Sequence, residues 1–351
     1  MSEPVYLPLA KFELCVMMES LLLSGEFIMK KIIVSCLVTA VLVTAFWCTM
    51  AGYFIGNYIV QFGLERGGEA DNPKAPPRAY ALLMPPESRQ FTKPDEEHEV
   101  WKIRSDDGLL LQATHFYPEE DSNRWVIVAH GYGCTQQNSW YIASTYLSMG
   151  YHVLTPDLRA SGDSEGKFLT MGYMESKDIE HWAAEIVRHY PEAKIALHGV
   201  SMGAAAVMLA AASGNLPENV VACIEDSGFT SAYHLLALRL EDSFGLPAFP
   251  AMNLLDWRCE HLAGFSLRHA APIKVMDRVR MPILFIHGEK DTLVPPYMAD
   301  LLYEACWSPK KEIFLAPDSI HGAASQTAHD AYYKKVVEFL EPCMRDEGMM
   351  Q

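Results

Sequence analysis

The chain has 351 residues, half of them hydrophobic, and a formal net charge of −16 at pH 7. This composition is typical of a globular protein with a sizeable core. The negative charge argues against nucleic acid as a partner, because phosphates would be repelled. The eight cysteines form no C-x-x-C pair and no His/Cys spacing of a zinc site. We therefore expect no structural metal and interpret the cysteines as small buried side chains.

An uncharged run from Ile32 to Leu64 dominates the front of the chain. It is long enough to cross a bilayer as a helix, and we predict a membrane anchor over residues 29–60. Lys30 and Lys31 precede the run, so the positive-inside tendency predicts a cytoplasmic N-terminus and an extracytoplasmic catalytic domain. A signal peptide cleaved after Ala51, giving a secreted protein, is the alternative. A buried core helix is less favoured, since such helices seldom stay uncharged for so long.

Two segments flank this run. Met29 begins "MKKIIVSCLV", which looks like a natural start, so we hypothesise that residues 1–28 are an upstream extension of the reading frame. The chain reads "DNPKAPPRAYALLMPPESRQFTKPDEE" from Asp71 to Glu97, and we place the boundaries of this segment at residues 61–96. Proline and charge without apolar periodicity predict a linker there.

Short apolar runs alternate with helical stretches in the rest of the chain. The runs "HEVWKIR" and "LLLQATHFYP" flank "SDDG" and predict two antiparallel strands. Further runs end in polar or glycine residues, as strands buried on both faces do: "RWVIVAHG", "YHVLTPD", "KIALHGV", "VVACIEDSG", "PILFIHG" and "KEIFLAPD". The stretches "NSWYIASTYLSMG" and "SKDIEHWAAEIVRHY" predict intervening helices. This alternation predicts a mainly parallel sheet covered on both faces, with ligands at the carboxyl ends of its strands.

The stretch "GVSMG" places Ser201 between Gly199 and Gly203, after a predicted strand and before the helix-forming run "AAAVMLAAA". A sharp strand-to-helix turn exposes a serine hydroxyl and crowds the residues two before and two after it, which favours glycine there. A lone G-x-S-x-G is weak evidence, but the strand and helix on either side are the context that the motif requires. We predict that Ser201 is a nucleophile.

A serine nucleophile needs a base and an acid that orients the base. In this motif's usual order they follow on loops after later strands. Asp291 follows "PILFIHG" and His321 follows "KEIFLAP", which predicts a Ser201–Asp291–His321 triad. Asp226 is the alternative acid, because it also ends a strand after the nucleophile. His329 competes less well with His321, because its surroundings predict a terminal helix.

Histidine-glycine pairs end several of these runs, at His130, His198, His287 and His321. They cannot all be catalytic. For any one of them, a hydrogen-bonded structural role is favoured until a partner is identified.

Acyl transfer also needs donors for the developing oxyanion. The usual donors are the amide after the nucleophile and one from the loop after the third strand. Met202 and Tyr132 occupy these places, so we predict their backbone N–H groups as the oxyanion hole. The glycines of "HGYG" allow that loop to bend.

Together "HGYG", "DLRASGDSEG", "GVSMG", "HGEKDTLVPP" and "SIHG" resemble the α/β-hydrolase superfamily, and more closely its bacterial serine-aminopeptidase-like and esterase-like enzymes. The resemblance covers residues 97–342 and leaves 343–351 as a C-terminal tail. It implies an α/β-hydrolase fold with a mainly parallel eight-stranded sheet, helices on both faces and a short helical lid over residues 229–281. Many relatives carry Gly-His where this chain has Ala160-Ser161, in a loop that is structural in the family.

The lid contains apolar residues that could line an acyl pocket or simply pack the insertion: Phe244, Leu246, Phe249 and Leu254.

We expect a serine hydrolase acting on a carboxylic ester, small or lipid-like, through an acyl-enzyme. A serine aminopeptidase is the alternative, with an acidic lid residue holding the substrate ammonium: Glu241, Asp242, Asp256 or Glu260. A non-catalytic binding domain is less favoured. No nucleotide-binding pattern is present, and we expect no cofactor. Oligomeric state is not indicated.

Overall fold

The computed structural model describes residues 9–66, 92–245 and 247–345. They form two compact units, one ending at Ile55 and the other beginning at Gly56. The start of the predicted extension, most of the predicted linker, Leu246 of the lid and the end of the predicted tail lie outside the described residues.

The first unit consists of helix α1, which spans Leu9–Gly63 and continues into the second unit. No proline interrupts this stretch, and so nothing in it breaks the backbone hydrogen-bond ladder. Its part Phe27–Gly63 is long and apolar enough to cross a membrane. The side chains of residues 27–47 are exposed, which suits a helix surrounded by lipid. The predicted anchor over 29–60 lies inside this helix, and the helix extends past both of its ends.

The second unit is built on one eight-stranded sheet. Its strands are β1 (His98–Arg104), β2 (Leu110–Phe116), β3 (Arg124–Ala129), β4 (His152–Pro156), β5 (Lys194–Val200), β6 (Val220–Asp226), β7 (Ile283–Gly288) and β8 (Lys311–Ala316). Their order is β1-β2-β4-β3-β5-β6-β7-β8. β2 pairs antiparallel with β1 and β4, and all other neighbours are parallel. The predicted mainly parallel eight-stranded sheet and its leading antiparallel pair are confirmed.

Helices cover both faces of this sheet. They are α2 (Gln136–Ser148), α3 (Tyr173–His189), α4 (Met202–Ser213), α5 (Ala232–Phe244), α6 (Ala248–Ala263), α7 (Tyr297–Ala305), α8 (Ala324–Thr327) and α9 (His329–Met344). Alternate strand residues feed two separate cores. Val126 and Val128 join the core beneath α2 and α9, whereas Trp125 and Ile127 join the core beneath α3 and α4.

The last turns of α1 belong to the core of the second unit. We call Gly56–Arg66 the helix-end segment. Its Val60 and Leu64 are buried among the core residues. Glu65 forms an isolated bridge with Phe168, and the Leu169 amide donates to the Leu64 carbonyl at 2.9 Å. The predicted linker therefore begins with six ordered residues, 61–66, because Leu64 packs in the core and the backbone of residues 64–66 bonds to residues 167–169.

The predicted lid corresponds to α5, α6 and two short 3-10 turns, Pro272–Lys274 and Met276–Arg278, between β6 and β7. Asp256 of α6 fixes the chain that leaves this helix. Its carboxylate accepts hydrogen bonds from Ser266 Oγ at 2.8 Å, the Leu267 amide at 2.7 Å and Arg268 Nε at 3.0 Å. A buried polar contact thus fixes the turn after α6 within the lid.

Candidate active site

Ser201 occupies a strained turn between β5 and α4. Its backbone has φ 57° and ψ −113°, a left-handed conformation that non-glycine residues rarely adopt. Neither of the flanking positions, Gly199 and Gly203, has room for a side chain of its own. A Cβ on Gly199 would overlap the Gly203 carbonyl, and a Cβ on Gly203 would overlap the Ala129 carbonyl. This crowding is the reason for glycine at both predicted positions.

The structure brings Ser201, His321 and Asp291 into one hydrogen-bonded line. His321 Nε2 lies 2.8 Å from Ser201 Oγ, and His321 Nδ1 lies 2.7 Å from Asp291 Oδ2. The Asp291 side chain is fully buried, while the His321 side chain is 16 % exposed. The serine end of the line is therefore accessible to a substrate and the carboxylate end is not.

Backbone and side-chain donors surround the Asp291 carboxylate. Oδ1 accepts from the amides of Leu293 at 2.9 Å and Val294 at 2.8 Å. Oδ2 faces His287 Nε2 at 3.1 Å as well as His321. Burial opposes ionisation, but the hydrogen bonds from His287 and His321 outweigh it and lower the pKa of Asp291. The carboxylate is held ionised beside the imidazole.

The predicted oxyanion donors flank the serine. Met202 is the first residue of α4, and amides of the first helical turn have no acceptor within the helix. Tyr132 follows Gly131, on which a Cβ would lie 3.3 Å from Ser201 Cβ. The loop after β3 thus lies against the serine. The Tyr132 hydroxyl donates to the carbonyl of Gly63, in the helix-end segment.

The two alternatives for the triad lie elsewhere. Asp226 is fully buried at the end of β6, where its carboxylate accepts from Ser227 Oγ at 2.8 Å and Tyr332 Oη at 2.9 Å. Its carbonyl receives the Ser201 amide at 2.8 Å. His329 begins α9 and pairs with Asp330 at 3.1 Å on the surface. Neither side chain bonds to Ser201 or His321 within the described residues.

Most of the histidine-glycine pairs have structural partners. His130 accepts the Leu158 amide at 3.0 Å, and His198 contacts the hydroxyls of Tyr146 and Tyr332 at 2.9 and 3.0 Å. His287 differs, because it reaches Asp291. Sequence reasoning missed this contact, although the signal was present: His287 precedes Asp291 by four residues in "HGEKD".

The acidic lid residues do not all remain available for a substrate ammonium. Asp256 is buried and already accepts three hydrogen bonds within the lid, which disfavours it as the acceptor for a substrate ammonium. Asp242 pairs with Arg239 at 3.1 Å, and Glu241 and Glu260 are exposed. Among the apolar lid residues, Phe249 is 74 % exposed.

Within the described residues, no group of three or more His, Cys, Asp or Glu side chains is arranged to hold a metal ion.

The sheet order, the strained serine and the helices on both faces define the class of α/β-hydrolases, and the protein is a serine hydrolase. The chain belongs to the prolyl oligopeptidase family, whose model matches residues 137–347. It is 28 % identical over 247 residues to protein YqkD of Bacillus subtilis, covering 70 % of this chain and 80 % of that one.

Two similar proteins have named activities. The chain is 25 % identical over 248 residues to a thermostable monoacylglycerol lipase of Bacillus sp., covering 66 % of this chain and 95 % of the lipase. A solved esterase of Pyrococcus furiosus superposes with a TM-score of 0.59 at 23 % identity, covering 73 % of this chain and 97 % of the esterase. At this identity the superposition shows a shared fold.

Proposed function

We propose that the protein is a membrane-anchored esterase that cleaves a carboxylic ester through an acyl-enzyme on Ser201. The observation that carries the proposal is the line from Ser201 Oγ through His321 to the ionised Asp291. A serine hydroxyl is a weak nucleophile at neutral pH, and a base 2.8 Å away can accept its proton as it attacks. Asp291 would keep His321 in the tautomer whose Nε2 faces the serine.

Each step then has a residue to perform it. Ser201 Oγ bonds to the ester carbonyl carbon while its proton passes to His321 Nε2. The resulting oxyanion accepts hydrogen bonds from the N–H groups of Met202 and Tyr132. The carbon–oxygen bond to the leaving alcohol breaks as His321 returns the proton to that alcohol. Water, deprotonated by His321, then hydrolyses the acyl-enzyme and regenerates Ser201.

Exposed apolar side chains close in sequence to Asp291 and His321 favour an ester with a hydrocarbon part. Leu293 on the Asp291 loop is 38 % exposed, and Ile320, next to His321, is 60 % exposed. Exposed apolar residues at a reactive centre suit an acyl or alkyl chain, which loses its water shell against them. The similarity to a monoacylglycerol lipase supports a small or lipid-like substrate.

A fluorophosphonate probe and a substrate panel test this proposal. We expect the probe to label the wild-type protein and to leave Ser201→Ala unlabelled. Short-chain p-nitrophenyl esters should be hydrolysed faster than aminoacyl anilides. Labelling that persists in Ser201→Ala would show that another residue is the nucleophile.

Peptidase activity is the second candidate, and membership of the prolyl oligopeptidase family favours it. The hydrogen bonds that Asp256 already accepts disfavour an aminopeptidase in particular. Hydrolysis of the anilides without hydrolysis of the esters would establish peptidase activity and rule out the proposed esterase activity.

We infer that the catalytic unit lies outside the cytoplasm, because Lys30 and Lys31 precede the uncharged run that begins at Ile32. A bacterial alkaline phosphatase fused after Gln351 tests this, since that enzyme folds to its active form only outside the cytoplasm. We expect an active fusion. An inactive but full-length fusion would place the C-terminus in the cytoplasm. N-terminal sequencing of the mature protein would separate an intact anchor from cleavage after Ala51.

A further inference from the structure

His287 is a buried histidine that touches the carboxylate of the proposed triad. It is the penultimate residue of β7 and is fully buried. Its Nε2 lies 2.9 Å from the Val294 carbonyl and 3.1 Å from Asp291 Oδ2. Both neighbours are acceptors, so Nε2 must carry the proton that they share.

This contact completes a set of donors around Asp291. The backbone amides of Leu293 and Val294 hold Oδ1. His321 and His287 approach Oδ2 from two directions. His287 also contacts the carbonyl of Val294, and the amide of Val294 donates to Asp291 Oδ1. These contacts to both carboxylate oxygens hold the Asp291 side chain in the rotation that points Oδ2 at His321.

The other ring nitrogen of His287 leads to a second buried acid. His287 Nδ1 and Glu225 Oε1 are both buried and have no hydrogen-bond partner within the described residues. Glu225 lies on β6, next to β7, where it pairs in register with Phe285. The two groups interact electrostatically. Burial raises the pKa of the Glu225 carboxyl to about 8. Burial opposes protonation of His287, but the hydrogen bond to Asp291 and the nearby Glu225 outweigh it and raise the pKa of His287. The raised pKa agrees with a proton on Nε2.

We propose that His287 is a positioning residue of the triad and that its Nε2–H locks Asp291 in the rotation required by His321. The proposal rests on the proposed function of Ser201, His321 and Asp291. His287 is fully buried and reaches a substrate only through Asp291 and His321. Its loss should therefore lower kcat and leave KM unchanged.

Two amide substitutions isolate the hydrogen bond. The side-chain amide of Gln places its nitrogen where a histidine has Nε2, whereas the Asn amide is too short to reach Asp291. Neither side chain titrates. We expect His287→Gln to retain kcat within about threefold, because the donor is kept. We expect His287→Asn to lose about tenfold to a hundredfold in kcat, because a hydrogen bond to a charged group is missing.

A buried histidine far from the site serves as the control. His152 begins β4, at the strand end opposite the catalytic edge, and contacts His115 and Asp121. We expect His152→Gln and His152→Asn to share one kcat, whatever they do to the melting temperature. Equal kcat values for His287→Gln and His287→Asn would overturn the role of His287.

His287→Leu decides if His287→Asn fails to fold. Leucine is close to histidine in size and offers no N–H, and we expect this variant to lose kcat as His287→Asn does. Equal kcat values for His287→Gln and His287→Leu would overturn the role of His287. If the wild-type protein is neither labelled by the fluorophosphonate nor active on esters, the proposed function has failed. If the wild-type protein is labelled and the His287 variants keep its kcat, only the role of His287 is refuted.

Discussion

The ends of the neighbouring strands β6 and β7 each hold a buried carboxyl group, yet their surroundings shift its pKa in opposite directions. At the end of β6, burial raises the pKa of Asp226, although Ser227 and Tyr332 donate to it. Just beyond β7, donors outweigh burial and lower the pKa of Asp291. The donors differ in kind: hydroxyls serve Asp226, whereas amides and imidazoles serve Asp291. The immediate donors, rather than burial, therefore decide which acid can orient a catalytic base.

The largest expected effect separates these two acids by activity. Asp291→Asn should lower kcat/KM about a thousandfold to ten-thousandfold, since an amide can stabilise the wrong tautomer of His321 and cannot stabilise the imidazolium. Asp226→Asn should lower it less than about tenfold, because the Asp226 carboxyl group bonds to Ser227 and Tyr332 and to neither Ser201 nor His321. Steady-state kinetics on a p-nitrophenyl ester measures both. A greater loss of kcat/KM in Asp226→Asn than in Asp291→Asn would show that Asp226 on β6 is the orienting acid.

A smaller effect should appear in the pH dependence of stability. The folded state raises the pKa of Glu225 from 4.5 to about 8 through burial. The stability that this shift contributes is fully present below pH 4.5 and is lost as the pH rises towards 8. In that range Glu225 ionises in the unfolded chain before it ionises in the folded protein. Relative to Glu225→Gln, wild type should lose on the order of 2–4 kcal/mol of unfolding free energy between pH 5 and pH 8. Denaturant unfolding in detergent at the two pH values measures it, and parallel curves for both proteins would contradict the neutral buried acid.

The smallest effect concerns the partner of Asp226. The Tyr332 hydroxyl contacts both Asp226 and His198, so Tyr332→Phe should cost about 1–2 kcal/mol of stability by leaving buried polar groups short of a partner. kcat/KM should change less than about threefold, since the contact is structural. Tyr333→Phe is the matched control, because the neighbouring Tyr333 hydroxyl is also buried and the contacts to Asp226 and His198 belong to Tyr332. If both variants are equally stable, the hydroxyl of Tyr332 contributes nothing to this cluster.

The fold and the geometry around Ser201 could be predicted because local sequence specifies them. Alternating apolar runs fix the strands, and Gly199 and Gly203 are required by the close backbone approach on either side of Ser201. Chain order then pointed to Asp291 and His321. Their hydrogen-bonded line agrees with that expectation, while their catalytic roles stay a prediction.

Other features could not be predicted, because residues with similar sequence surroundings meet different partners in space. Asp226 and Asp291 both follow strands, and only the donors that converge from separate loops distinguish them. The four histidine-glycine pairs likewise look alike along the chain. Within the apolar run, Val60 and Leu64 pack against protein although residues 27–47 are exposed. Lipid and a protein core favour the same side chains, so hydropathy does not mark where one ends and the other begins.

The burial of Val60 and Leu64 limits where the catalytic unit can be cut free of its apolar helix. Proteolysis after Leu64 would strip two core side chains and remove the Gly63 carbonyl that receives the Tyr132 hydroxyl. Scission after Ala51 would spare them all, because the second unit begins at Gly56. A shed form of the enzyme would thus keep a short apolar stub as part of its own interior.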